Sequence, residues 1–167
     1  MTTRVLLYKA GKDIVGRAIS YFTMSEWAHV AIYVRGATYE QTWPGVTKTA
    51  GQKPADMVLV PPAIADSAET RMLLWLEDQA ARKVRYNWMK LVVFALVYPL
   101  RWFFARLGWM PFQAALFGEV CSTFVDQALM VGGVDLFPWR DEEATVPGDF
   151  YDCRVLELEM PVEVELP

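Results

Sequence analysis

The chain has few of the residues that most often carry catalysis. It has one histidine, His29, and two cysteines, Cys121 and Cys153. Two thiols cannot form a disulfide framework, and one imidazole with two thiols has no zinc-ligand spacing, so neither a stapled scaffold nor a metal centre is expected. Positive charge is not in excess: the net charge of −4 argues against the basic surface that nucleic acid requires. No apolar run reaches the roughly 20 residues a spanning helix needs, and the uncharged run Leu91–Leu100 is ten residues long. The start, Met1-Thr2-Thr3-Arg4-Val5-Leu6-Leu7-Tyr8-Lys9, lacks the apolar core and small-residue cleavage site of a signal peptide. The default compartment is therefore the cytoplasm, where a free thiol persists. No glycine-rich phosphate loop is present, since Gly132-Gly133 follows a helical stretch and ends it, and no cofactor is expected.

Large apolar side chains are abundant: seven tryptophans, nine phenylalanines and eight methionines. With 54% hydrophobic and 22% charged residues the chain is a folding one. Its length favours a single domain over residues 1–160, followed by a frayed, Pro- and acid-rich tail at 161–167.

Apolar and β-branched runs predict strands at Arg4 to Tyr8, Ala28 to Val34, Thr38 to Trp43, Val46 to Thr49, Met57 to Val60 and Arg154 to Met160. Helical spacing predicts helices at Asp13 to Phe22, from Ser67 to about Lys83, and at Glu119 to Val131. Ser67 and Thr70 stand where a cap and its box partner would lie, and Pro147-Gly148-Asp149 reads as a turn. Strands, then helices, then a last strand point to an α+β fold, with helices on one face of an antiparallel sheet.

The chemistry-bearing residues fall at the ends of these elements. His29 lies at the mouth of a buried strand and Cys121 at the start of a helix. A thiol ordinarily ionises near pH 8.5; the positive end of a helix and a nearby imidazolium both lower that value. His29 alone could supply the imidazole, acting as base and then as acid. A third group must orient the ring, and Glu40, on the returning strand of the hairpin, is the candidate. Turning at Arg35-Gly36-Ala37 sets residue 31 roughly opposite 40, and 30 opposite 41, with Gln41 on the other face. Taken singly, a lone histidine or a lone helix-start cysteine is more often packing than chemistry, so the case rests on their combination. Tyr8, Ser25 and Ser122 are candidate oxyanion or substrate-binding groups, and Cys153 reads as a structural thiol.

These residues resemble a known family. Ala28-His29-Val30-Ala31-Ile32-Tyr33, then Tyr39-Glu40, then Val120-Cys121-Ser122-Thr123-Phe124-Val125 is similar to the circularly permuted branch of the NlpC-type papain-like cysteine hydrolases. The chain looks most like the YiiX-like members, which are related to lecithin:retinol acyltransferase. In unpermuted relatives the cysteine precedes the histidine. Tyr86-Asn87-Trp88 and Val146-Pro147-Gly148-Asp149-Phe150 are weaker matches, with Asn87 where the family has an acid. The resemblance implies a papain-like sheet or half-barrel with helices on one side. It also implies Cys121 as nucleophile, His29 as base and acid, and Glu40 as orienter. The acyltransferases place a second histidine at the third position, and this chain has none, which tilts the resemblance toward the YiiX-like branch.

The implied reaction is attack on an amide of a peptide or peptidoglycan stem through an acyl-enzyme. The alternatives are a lipid-directed thiol hydrolase or acyltransferase, and a non-catalytic binding protein of the same fold. A lipid-linked acyl substrate would suit residues 88–109, where Trp88, Tyr98, Trp102 and Trp109 stand beside Arg101 and Arg106. A core element covering the sheet is the favoured reading of that segment, and peripheral membrane contact the sharper one. A cell-wall substrate would require signal-independent export. Neither the oligomeric state nor the acyl group is legible in the sequence.

Overall fold

The β-branched run Trp27-Ala28-His29-Val30-Ala31-Ile32-Tyr33-Val34 forms a strand buried at every position except His29 and Tyr33, and the rest of the fold is arranged around it. The computed structural model describes residues 3–11, 14–23, 25–42, 45–84, 121–138 and 145–159. Along these residues the chain forms β1 (Arg4–Lys9), α1 (Ile14–Thr23), β2 (Trp27–Val34), β3 (Ala37–Thr42), β4 (Gly45–Ala50) and β5 (Met57–Val60). Then come α2 (Asp66–Arg82), α3 (Cys121–Val131), α4 (Pro147–Asp152) and β6 (Glu157–Leu158). The strands make one antiparallel sheet in the order β4-β3-β2-β1-β5-β6, with the helices on one side, an α+β architecture.

Alternate residues of the central strands supply the core. Val5, Leu7, Val30, Ile32, Val34 and Tyr39 join Met72 and Leu76 of α2 and Phe124, Val125, Ala128 and Leu129 of α3 in one cluster. Each fully buried side chain of this size contributes about 1.5–3 kcal/mol. Trp75 stacks on Phe124 at 5.5 Å, joining α2 to α3. The other set of alternate positions carries Tyr8, His29 and Glu40, and there Leu6, Ala31 and Thr38 are fully buried too.

Two turns fix the strands that hold the site. Arg35 (φ 46°) and Gly36 (φ 86°) form the β2–β3 turn, the left-handed pair that a two-residue hairpin requires. Its register pairs Ile32 with Tyr39, Tyr33 with Thr38 and Val34 with Ala37, and one step further sets Ala31 against Glu40. The second joint lies where α2 ends. Lys83 (φ 48°) closes the helix, and Val84 O accepts both the Val46 N–H (3.1 Å) and Gln41 Nε2 (3.0 Å).

Three sequence expectations are corrected. Helix α2 starts at Asp66 with Ala65 as an uncapped N-cap, and the Thr70 hydroxyl donates to Asp66 O, so Ser67 and Thr70 form no capping box. Pro147-Gly148-Asp149 opens a short helix rather than a turn, because proline suits the first helical position and the Asp149 carboxylate accepts the Val146 N–H at 2.8 Å. The last strand is only Glu157–Leu158, since the Leu156 N–H turns back to Cys153 O. The apolar segment 88–109, Tyr86-Asn87-Trp88, Asp141-Glu142-Glu143 and the tail 161–167 lie outside the described residues. Among the described residues no helix is long and apolar enough to cross a membrane.

Candidate active site

The site forms where the first turn of α3 meets β2. Cys121 is the first residue of α3 and is almost fully buried, at 3% exposure. Its sulfur takes hydrogen bonds from the His29 side chain and from the backbone N–H groups of Val30 and Ser122. Burial by itself pushes this thiol up. The His29 charge and these three hydrogen bonds outweigh burial, and the thiol is held below its ordinary range.

His29 stands between the Cys121 sulfur and the Glu40 carboxylate. Its Nε2 lies 3.2 Å from Glu40 Oε2, and its ring also bonds the Cys121 side chain. Burial lowers the imidazole's affinity for a proton, but the Cys121 thiolate and the Glu40 carboxylate together raise its pKa to about 9. Glu40 is held down to about 2: the His29 hydrogen bond lowers it, burial opposes that, and the Lys53 ammonium lowers it further. Cysteine, histidine and glutamate thus share one hydrogen-bonded line, with the imidazolium at its centre.

The remaining sequence candidates separate clearly. Tyr8, paired with His29 across β1 and β2, lays its ring against the imidazole with centroids 5.6 Å apart. Its hydroxyl is buried with no hydrogen-bond partner among the described residues. Burial first, then the charges of Glu40 and Asp56, push its pKa up to about 12, so it remains a donor. Ser25 Oγ instead accepts the Trp27 N–H at 3.2 Å, and it crowds Gly148, whose added Cβ would lie 2.5 Å from it. The Ser122 hydroxyl donates to Thr145 O, and the Thr145 hydroxyl in turn bonds Asp126 Oδ2 at 3.2 Å. The two serine side chains therefore hold the backbone, and what Ser122 brings to the sulfur is its N–H.

Lys53 is a site neighbour that the sequence reading did not single out. Its Nζ contacts Glu40 Oε1, and Thr47 Oγ1 lies 3.4 Å from the same oxygen. No local pattern marks it, because Lys53 sits in the connection after β4 and meets Glu40 only through the sheet. Cys153 is a free thiol, half-buried, 4.0 Å from Leu136 O and part of the packing. Among the described residues no cluster of three histidine, cysteine, aspartate or glutamate side chains is placed to hold a metal. In comparison with known proteins, the chain matches no family model and no curated protein.

Proposed function

We propose that this protein is a cysteine hydrolase of the permuted, NlpC-type papain-like kind, nearest to the YiiX-like branch, which cleaves an amide bond in a peptide or peptidoglycan stem. The single observation that carries the reading is His29 lying in hydrogen-bond contact with both the Cys121 thiol and the Glu40 carboxylate. The order of those residues along the chain and their places on β2, β3 and the start of α3 support the family part of it.

In the proposed cycle the Cys121 thiolate attacks the amide carbonyl carbon, and the carbonyl electrons move to oxygen. The Ser122 N–H and the Tyr8 hydroxyl are the candidate donors to that oxyanion: the first already faces the sulfur, the second is buried and unspent beside the imidazole. As the carbonyl re-forms, the C–N bond breaks and the His29 imidazolium gives its proton to the departing amine. This leaves a thioester and a neutral ring. Water then attacks the thioester, neutral His29 takes the proton, and the acid leaves with the thiolate restored. Glu40 stays ionised throughout and keeps Nε2 fixed, so that the ring keeps its place beside the sulfur.

A thiol-directed acyl electrophile tests this reading. Wild-type protein should be labelled at Cys121, and His29→Ala should slow acylation by roughly 10²–10⁴-fold, the usual worth of acid–base assistance. Equal labelling of the two proteins, or labelling at Cys153 alone, would overturn the proposal. Parallel assays with peptide amides and with lipid thioesters then separate the amide reading from an acyl-lipid one.

A further inference from the structure

We infer that Lys53 is a positioning residue of this site: its ammonium grips the outer oxygen of Glu40 and so keeps the inner oxygen aimed at His29. The inference rests on the reading of Cys121, His29 and Glu40 as nucleophile, acid–base and orienter, and it adds a fourth member reached through Glu40.

A carboxylate held at one oxygen only is poorly oriented. The last torsion of a glutamate is broad and nearly two-fold, so a single hydrogen bond from a ring nitrogen leaves the group free to swivel. Here the two oxygens have different partners. Oε2 lies 3.2 Å from His29 Nε2, while Oε1 takes Lys53 Nζ and has Thr47 Oγ1 at 3.4 Å. With both oxygens held, the carboxylate plane is set, and with it the imidazole.

Lys53 is itself anchored, which separates it from a flexible surface lysine of the kind that forms weak, averaged ion pairs. Its backbone N–H donates to Thr38 Oγ1 at 3.2 Å, and the same hydroxyl donates to Gly51 O at 2.7 Å. Gly51, with φ +80°, sends its own N–H to Gly36 O at 2.7 Å. The connection after β4 is therefore stitched to β3 at Thr38, two residues before Glu40 on the same strand. Thr38 is fully buried and the Lys53 side chain is 34% exposed, so the stem is held while the ammonium reaches the carboxylate.

Among the described residues the charged and titratable groups around the site are few. Cys121 from α3, Glu40 from β3 and Tyr8 from β1 face His29. His29, Lys53 and Tyr8 face Glu40. Asp56 acts on Tyr8 from the connection that carries Lys53. Among the described residues Lys53 is the only permanent cation bonded to Glu40, so removing it leaves Oε1 with only the longer, uncharged contact from Thr47 Oγ1 at 3.4 Å. A swivelling Glu40 loses part of its bond to Nε2, and His29 then releases its proton more readily.

The lone histidine makes the test direct, since its ring protons give one unambiguous NMR titration. Loss of the Lys53 charge by itself would raise the His29 pKa, so a fall of about half a pH unit or more in Lys53→Met, restored in Lys53→Arg, reports the lost aim of Glu40 and not the lost charge. Far-UV circular dichroism of each variant shows whether the fold is kept. No movement of the His29 titration, an upward movement, or Lys53→Arg behaving like Lys53→Met would overturn the inference. The titration uses resting protein and no substrate. A failed acyl-labelling experiment with the Lys53 shift intact would therefore sink the hydrolase reading and leave the positioning role standing.

Discussion

At the scale of single residues, the site is a matter of where one proton rests. His29 lies against the Cys121 sulfur and the Glu40 carboxylate, and both favour its charged form, raising its pKa to about 9 against the cost of burial. Glu40→Gln keeps the length and one hydrogen bond of the side chain but removes the charge. The imidazolium is then less favoured, so His29 should lose its proton at a lower pH. In the proposed cycle the departing amine needs that proton, so the alkaline limb of kcat/KM should move down from about pH 9 in the variant. A pH–rate profile checks this, and a limb that stays in place would remove Glu40 from the proton inventory. The members of this line stood out in the sequence because their types are scarce: one histidine, two cysteines, and one acid on the strand following the histidine. Lys53 was not legible there, since its contact with Glu40 depends on how far the connection after β4 folds back, which no local pattern records.

At the scale of elements, hydrophobic pattern and turn chemistry account for most of what forms. Alternation and β-branching placed β1 to β5, and apolar spacing with Met72 and Leu76 inward placed α2. The short α4 was hidden because Pro-Gly-Asp opens turns and helices alike, and only the Asp149 bond to the Val146 N–H decides between them. Gly45 marks another juncture that sequence alone does not reveal. Its φ is +128°, and a Cβ there would lie 2.8 Å from Lys83 O and 3.0 Å from Val84 O, both backbone atoms at the end of α2. Gly36, with φ +86°, has nothing within 4 Å of such a Cβ. Gly36→Ala should therefore cost only conformational strain, about 1 kcal/mol. Gly45→Ala adds a clash that neither backbone can relieve, and should cost about 2 kcal/mol or more. Urea unfolding of the two variants compares them directly. Equal losses would mean that β4 is not wedged against α2 as tightly as the Val46–Val84 and Gln41–Val84 bonds imply.

At the scale of the whole molecule, the sheet order puts the site in the middle of the fold rather than at its margin. Strands β1, β2 and β3 are adjacent and carry Tyr8, His29 and Glu40, while α3 brings Cys121 back to β2 from far along the chain. The run of strands, then helices, then a closing strand was readable as α+β, yet the return of α3 to β2 is a long-range contact that periodicity does not encode. Layers are tied by polar bonds as well as by the core: Glu69 of α2, 3% exposed, accepts from Arg35 Nε at 2.8 Å and from Thr3 Oγ1 at 3.1 Å. A site so placed should weigh on global stability, and Glu40 provides the measure. Its folded-state pKa is lowered from 4.5 to about 2, so its contribution is fully present above pH 4.5 and disappears as the pH falls through 2. With the side chain only 10% exposed, screening removes little of this, and the contribution is on the order of 3 kcal/mol at neutral pH. The unfolding free energy of wild type minus that of Glu40→Gln should be steady from neutral pH to about 5 and then shrink toward pH 2. Glu77 is the control. Its carboxyl is also held below its ordinary range, chiefly by Lys48, but its side chain is 42% exposed, and an exposed pair of this kind adds little. Glu77→Gln should thus track the wild type across the whole acid range. If the Glu40 difference were flat with pH while the fold persisted, the His29–Glu40–Lys53 line would not be contributing to the stability of the native state.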